Sequence, residues 1–149
     1  MKEVSSKDIR LAAMDLLARR EHSRRELLQK LSRRFPNEAE RVGVEVCQLT
    51  TEGLQNDSRL AEAFTRARTS RGQGPSKIRM GLKGKGVTDA DILLAFEEAE
   101  VDWFALASEV VLKKFGDLAD QEVDIRLKAR VSRFLQQRGF SYDHIASLY

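Results

Sequence analysis

The 149-residue chain holds only one cysteine, two histidines and two prolines. With Cys47 alone, neither an internal disulfide nor a cysteine-based metal cluster can form. Flanked by Val44, Val46 and Leu49, Cys47 is expected to be a small buried hydrophobe. His22 and His144 lie far apart, and neither has a second ligand at helical spacing. Both are expected at the surface or partly packed, with no cofactor. Scarce proline leaves room for helices almost everywhere. No apolar run approaches the ~20 residues of a membrane span, and the segment from Met1 to Ser6 lacks the apolar core of a signal peptide. The cytoplasm is the expected compartment.

What is present is charge and helical periodicity. Basic residues number 26 and acidic ones 23, a net charge of +3. So mild an imbalance permits a polyanionic partner without demanding one. Apolar residues recur at helical spacing in nine segments, among them Ile9/Ala12/Ala13/Leu16/Leu17, Val42/Val46/Leu49, Phe104/Ala107/Val111 and Val123/Leu127/Val131/Phe134/Leu135. No window alternates at period two. Ser23 to Glu26 has the spacing of a capping box. Thr88, Ser141 and Asn56 or Asp57 are expected N-caps, and Pro75 suits a first helical turn. Gly53, Gly86 and Gly139 follow helical stripes as left-handed C-caps do.

Two of these turns match each other. The run from Leu82 to Ile92 overlays that from Leu135 to Ile145: a basic residue, a glycine, an apolar residue, a hydroxyl cap, then isoleucine four positions on. A looser copy runs from Leu31 to Val42, with Phe35-Pro36-Asn37 in place of the glycine turn. Nine helices thus sort into units 1–53, 54–101 and 102–149, of a length usual in repeat architectures. The expected fold is all-α, three tandem three-helix units in an elongated, curved array.

Catalytic motifs are wanting. Gly81 to Gly86 has glycines at phosphate-loop spacing, but Val87 stands where the lysine is needed, and no strand precedes it. Gly72-Gln73-Gly74-Pro75 is a loop entering a helix. Acidic clusters such as Glu97, Glu98 and Glu100 suit solvated helix faces, and Trp103 with Phe104 suits a core. An enzyme is not expected. Basic residues cluster at Arg19, Arg20, Arg24 and Arg25, at Arg66 to Lys85, and at Arg126 to Arg138. The middle cluster is the least diluted by acids. If its residues share a face, they make a positive strip suited to phosphates or an acidic groove.

Leu49 to Asp57, Leu60-Ala61, Arg68, Gly72 to Ile78, Leu82 and Lys85-Gly86-Val87 together resemble the signature of the RecX family of bacterial regulatory proteins. Ala12, Leu16-Leu17, Arg19, Ser23 and Glu26-Leu27 resemble its opening helices. Lys128, Phe134-Leu135 and Arg138 to Ser141 resemble its closing motif. Leu60 stands where phenylalanine is common, and Phe35-Pro36-Asn37 where a lysine–glycine turn is usual. The resemblance implies three three-helix units forming a curved rod that binds the RecA recombinase filament on DNA, restrains ATP hydrolysis, strand exchange and repressor cleavage, and can touch single- or double-stranded DNA itself. Charge, rather than the resemblance, nominates the contact residues: Arg68, Arg71, Lys77, Arg79, Lys83 and Lys85, with Arg24 and Arg25 second. A monomer is expected. A helix-turn-helix-like DNA-binding protein and a helical adaptor for an unrelated partner remain as alternatives.

Overall fold

The computed structural model describes residues 4–149. Among them lie nine α-helices and no strand: α1 (Ser6–Arg19), α2 (Arg24–Arg34), α3 (Ala39–Thr51), α4 (Asp57–Ser70), α5 (Pro75–Gly84), α6 (Asp89–Ala99), α7 (Trp103–Phe115), α8 (Ile125–Gln137) and α9 (Tyr142–Ala146). No helix among the described residues is long and apolar enough to cross a membrane.

Local chemistry sets the helix ends. The hydroxyl of Ser23 accepts from the Glu26 amide while the Glu26 carboxylate accepts from the Ser23 amide, closing a capping box. Asn56, Thr88 and Ser141 cap α4, α6 and α9, and Pro75 opens α5. Gly86 and Gly139 take φ of +82° and +95°, so the repeated turn is left-handed in both copies. The degenerate copy solves the same problem differently: Asn37 adopts φ +74°, one of the few non-glycine residues that tolerate this region.

Apolar faces then gather into three separate cores. Ile9, Leu27, Leu31, Val42, Val46 and Leu49 close α1–α3; Leu60, Ile78, Leu82 and Ile92 close α4–α6; Val111, Val131, Leu135 and Phe140 close α7–α9. Trp103, half-buried, packs against both the second and the third, its ring 5.4 Å from that of Phe96. The 16.9-kDa chain exposes 9597 Å², whereas a compact monomer of that mass exposes ~7,700 Å². The excess surface marks an elongated body.

Four sequence expectations fail. Cys47 is exposed, because α3 turns Val42, Val46 and Leu49 inward and carries Cys47, with the 65%-exposed Val44, to the outside. His22 and His144, 1% and 9% exposed, are buried more deeply than the surface or partly packed positions expected of them. Phe104 is half-exposed, and Val123 precedes α8.

Candidate functional site

The units meet through turns. Between the first and second, the Ser23 hydroxyl donates to the Lys85 carbonyl at 2.7 Å. The Glu26 carboxylate receives Arg20 at 2.8 Å and Lys85 at 2.9 Å. Burial alone would raise the Glu26 pKa, but hydrogen bonds from Arg20, the Ser23 amide and Lys85 outweigh it and hold it down at about 2. The Arg24 amide donates to Asp57 at 2.8 Å, and Arg59 pairs with Glu21. Gln55, fully buried, donates to the His22 carbonyl. The His22 ring has Nδ1 3.0 Å from the Arg20 carbonyl and Nε2 2.9 Å from the Lys30 ammonium. Only the neutral ring protonated on Nδ1 satisfies both partners. Burial lowers the His22 pKa, and the nearby Arg20 and Lys30 charges lower it further.

Between the second and third units the same operation recurs. The N-cap of α5, Gly74, donates its amide to the Arg138 carbonyl at 2.6 Å, and Ser76 donates to the Gly139 carbonyl at 3.0 Å. Ser23 and Gly74 are equivalent N-caps of their units' second helices; Lys85 and Arg138 each precede the glycine of the repeated turn. Backbones touch here: a Cβ on Gly74 would lie 2.6 Å from the Gly139 oxygen, and one on Gly139 2.6 Å from the Lys77 nitrogen. Glycine is required at both.

This docking distributes the basic residues of the sequence strip. Arg24 and Arg25 sit exposed at the first junction, where the stem of Arg25 packs on Gly86. Lys85, partly buried in its Glu26 pair, lies over the Phe64 ring at 5.6 Å, and Arg68 over the same ring at 4.7 Å. Arg79 lies over Phe96, and Lys83 pairs with Asp89 at 3.2 Å. Lys77 takes the opposite flank of α5, against Gly139. Arg71, at the end of α4, lines a notch between the second and third units.

The notch, about 620 Å³, is lined by the end of α4 and by α7 and α8. Arg71, Lys113, Lys114 and Arg138 supply its cations, and Glu109 is its one acid. Leu106, Val110 and Phe134 form the apolar part. The Arg138 guanidinium is fixed by a 2.9 Å bond to the Arg71 carbonyl and lies over Phe134 at 5.0 Å. Lys114 lies over the same ring at 5.6 Å. Sequence alone does not single out Lys113 and Lys114, because lysines in a last helical turn complement the helix dipole whichever way they face. Only the packing of α7 against the end of α4 brings them to Arg71.

Comparison with known proteins matches residues 100–148 to the family model for the RecX third three-helix domain and residues 56–95 to that for the RecX second three-helix domain. The chain is 45% identical over 141 residues to the regulatory protein RecX of Halorhodospira halophila, covering 95% of this chain and 86% of that protein. It is 44% identical over 140 residues to the regulatory protein RecX of Pseudomonas putida strain GB-1, covering 94% and 88%. Its fold superposes on the crystal structure of RecX from Lactobacillus salivarius with a TM-score of 0.81 at 22% identity, covering 96% of this chain and 93% of that one.

Proposed function

The chain belongs to the RecX family of regulatory proteins, and on that footing we propose that it is a negative modulator of the RecA recombinase. It lies along the groove of the RecA–DNA filament as a cytoplasmic monomer and inhibits ATP hydrolysis, strand exchange and coprotease activity. Its place is in recombination, DNA repair and the SOS response, as a regulator and not an enzyme. The observation that carries this reading is the build of the body: three small cores strung in tandem through two equivalent docking turns. Units bounded at 53/54 and 101/102 then meet successive filament subunits. Simultaneous contacts multiply through effective concentration, and binding one subunit arrangement better than others changes activity without a catalytic group. Arg24, Arg25, Arg68, Arg71, Lys77, Arg79, Lys83 and Lys85 are the proposed contacts. Of these, Lys85 and Lys83 already hold carboxylates, so Arg71, Lys77 and Arg79 are the freer to engage a partner.

The test is RecA ATP hydrolysis on single-stranded DNA with this protein titrated in. The rate falls with the wild type, and the triple change Lys77→Glu, Arg79→Glu, Lys83→Glu weakens inhibition while helical circular dichroism is kept. An unaffected RecA rate contradicts the reading. Tight binding to a specific duplex without RecA establishes the helix-turn-helix alternative instead.

A further inference from the structure

The notch between the second and third units is built like a receptor for one kind of segment. Among the described residues no carboxylate lies within ion-pair distance of Arg71, Lys113, Lys114 or Arg138. Lys113 and Lys114 are exposed, and the four basic residues line the notch with Glu109 as its one acid. Behind them lie the half-buried side chains of Leu106, Val110 and Phe134. The geometry is fixed in advance. Gly72, at φ +79°, lets α4 approach α7 so closely that a Cβ there would lie 2.8 Å from the Val110 side chain and 3.3 Å from Arg138. Arg138 is tied to the Arg71 carbonyl. A notch of this volume, part cationic and part apolar, falls within the size range of ligand pockets.

The geometry points to an acidic peptide segment of a partner protein, carrying one large apolar side chain, as the occupant. Its carboxylates meet the four cations, and its apolar side chain covers Leu106 and Val110. Phosphates of a nucleic acid would satisfy the cations but leave the aliphatic surface uncovered. Base stacking would have to use Phe134, whose ring already carries Arg138 and Lys114. Charge and apolar surface together therefore favour peptide. The assignment stands on the notch alone and does not depend on RecA being the partner.

The experiment is fluorescence anisotropy with the full chain and a labelled twelve-residue peptide of aspartate and glutamate with a central phenylalanine. No recombinase is present, so its outcome is separate from that of the ATPase titration. Wild type binds. Lys113→Glu with Lys114→Glu weakens binding roughly tenfold or more, and Glu109→Gln tightens it about twofold, as removal of a like charge should. Replacing the central phenylalanine by serine weakens it about tenfold, the lower end of the scale of one buried side chain. Arg33→Glu with Arg34→Glu, on α2, leaves it unchanged. The proposal is overturned if wild type does not bind the peptide, or if the α2 pair weakens binding as much as the notch pair. It is overturned equally if the serine peptide binds as well as the phenylalanine peptide while a twelve-nucleotide thymidine strand displaces both.

Discussion

At the first junction the N-cap of α2 is a serine whose hydroxyl reaches the Lys85 carbonyl; at the second the N-cap of α5 is a glycine whose amide reaches the Arg138 carbonyl. Around Ser23 stand Glu26, Arg20, Lys85, Asp57 and Arg59, so the first junction is held by side chains and charge. Around Gly74 the chains touch backbone to backbone. One docking operation is thus executed in two chemistries, and they respond differently to substitution and to pH. Side-chain junctions lose pieces singly, whereas a backbone junction admits no Cβ at all.

The largest effect is expected at the second junction. Gly139→Ala forces an alanine into φ +95° and a Cβ against the Lys77 backbone, costing about 3 kcal/mol in urea unfolding from strain and overpacking together. A cost under about 1 kcal/mol would show that the backbones separate freely there. Acid should act on the first junction instead. The Glu26 pKa is depressed from 4.5 to about 2, so its stabilisation is complete above pH 4.5 and is lost as pH falls toward 2, on the order of 2 kcal/mol. His22, whose folded pKa is lowered, adds in the same direction: below pH 6.5 the unfolded chain takes up a proton that the folded chain resists. Amide protection at Ser23 and Arg24 should fall between pH 6.5 and 2 while that at Gly74 and Ser76 holds. Equal losses at both would erase the distinction.

Ser23→Ala removes a cap and the bond to Lys85, for about 1–2 kcal/mol. Thermal melts would detect it, and a neutral result would shift the weight of that junction onto Glu26. Smallest is Asn37→Gly, remote from both junctions. It relieves φ +74° and should stabilise the first unit by no more than about 1 kcal/mol.

Much of this architecture was legible in the chain because it is local. Ser23, Asn56, Thr88, Ser141 and Pro75 mark helix starts through groups within three residues, and Gly86 and Gly139 mark turns through their own φ. The repeated turn was legible too, though not what it docks on. Everything that depends on neighbouring units was hidden. His22 reads as a surface or partly packed residue until Gln55, 33 positions on, binds its carbonyl. Lys85 reads as a free cation, yet its partner Glu26 lies 59 positions back. Cys47 fails for a nearer reason: on α3 it follows the exposed Val44 around the helix, not the buried Val46. The positive strip seen in sequence separates because α5 sends Lys77 and Arg79 to opposite flanks, and Arg71 joins cations from the next unit.

If RecA is restrained by the joined body and not by any single unit, loosening one junction should cost inhibition even where every contact residue is intact. The direct measurement is single-stranded-DNA-dependent RecA ATP hydrolysis against increasing Gly139→Ala protein, at a temperature where its helical circular dichroism matches wild type. The expected result is a half-inhibiting concentration at least about tenfold above wild type, from lost effective concentration. A half-inhibiting concentration equal to wild type would contradict it.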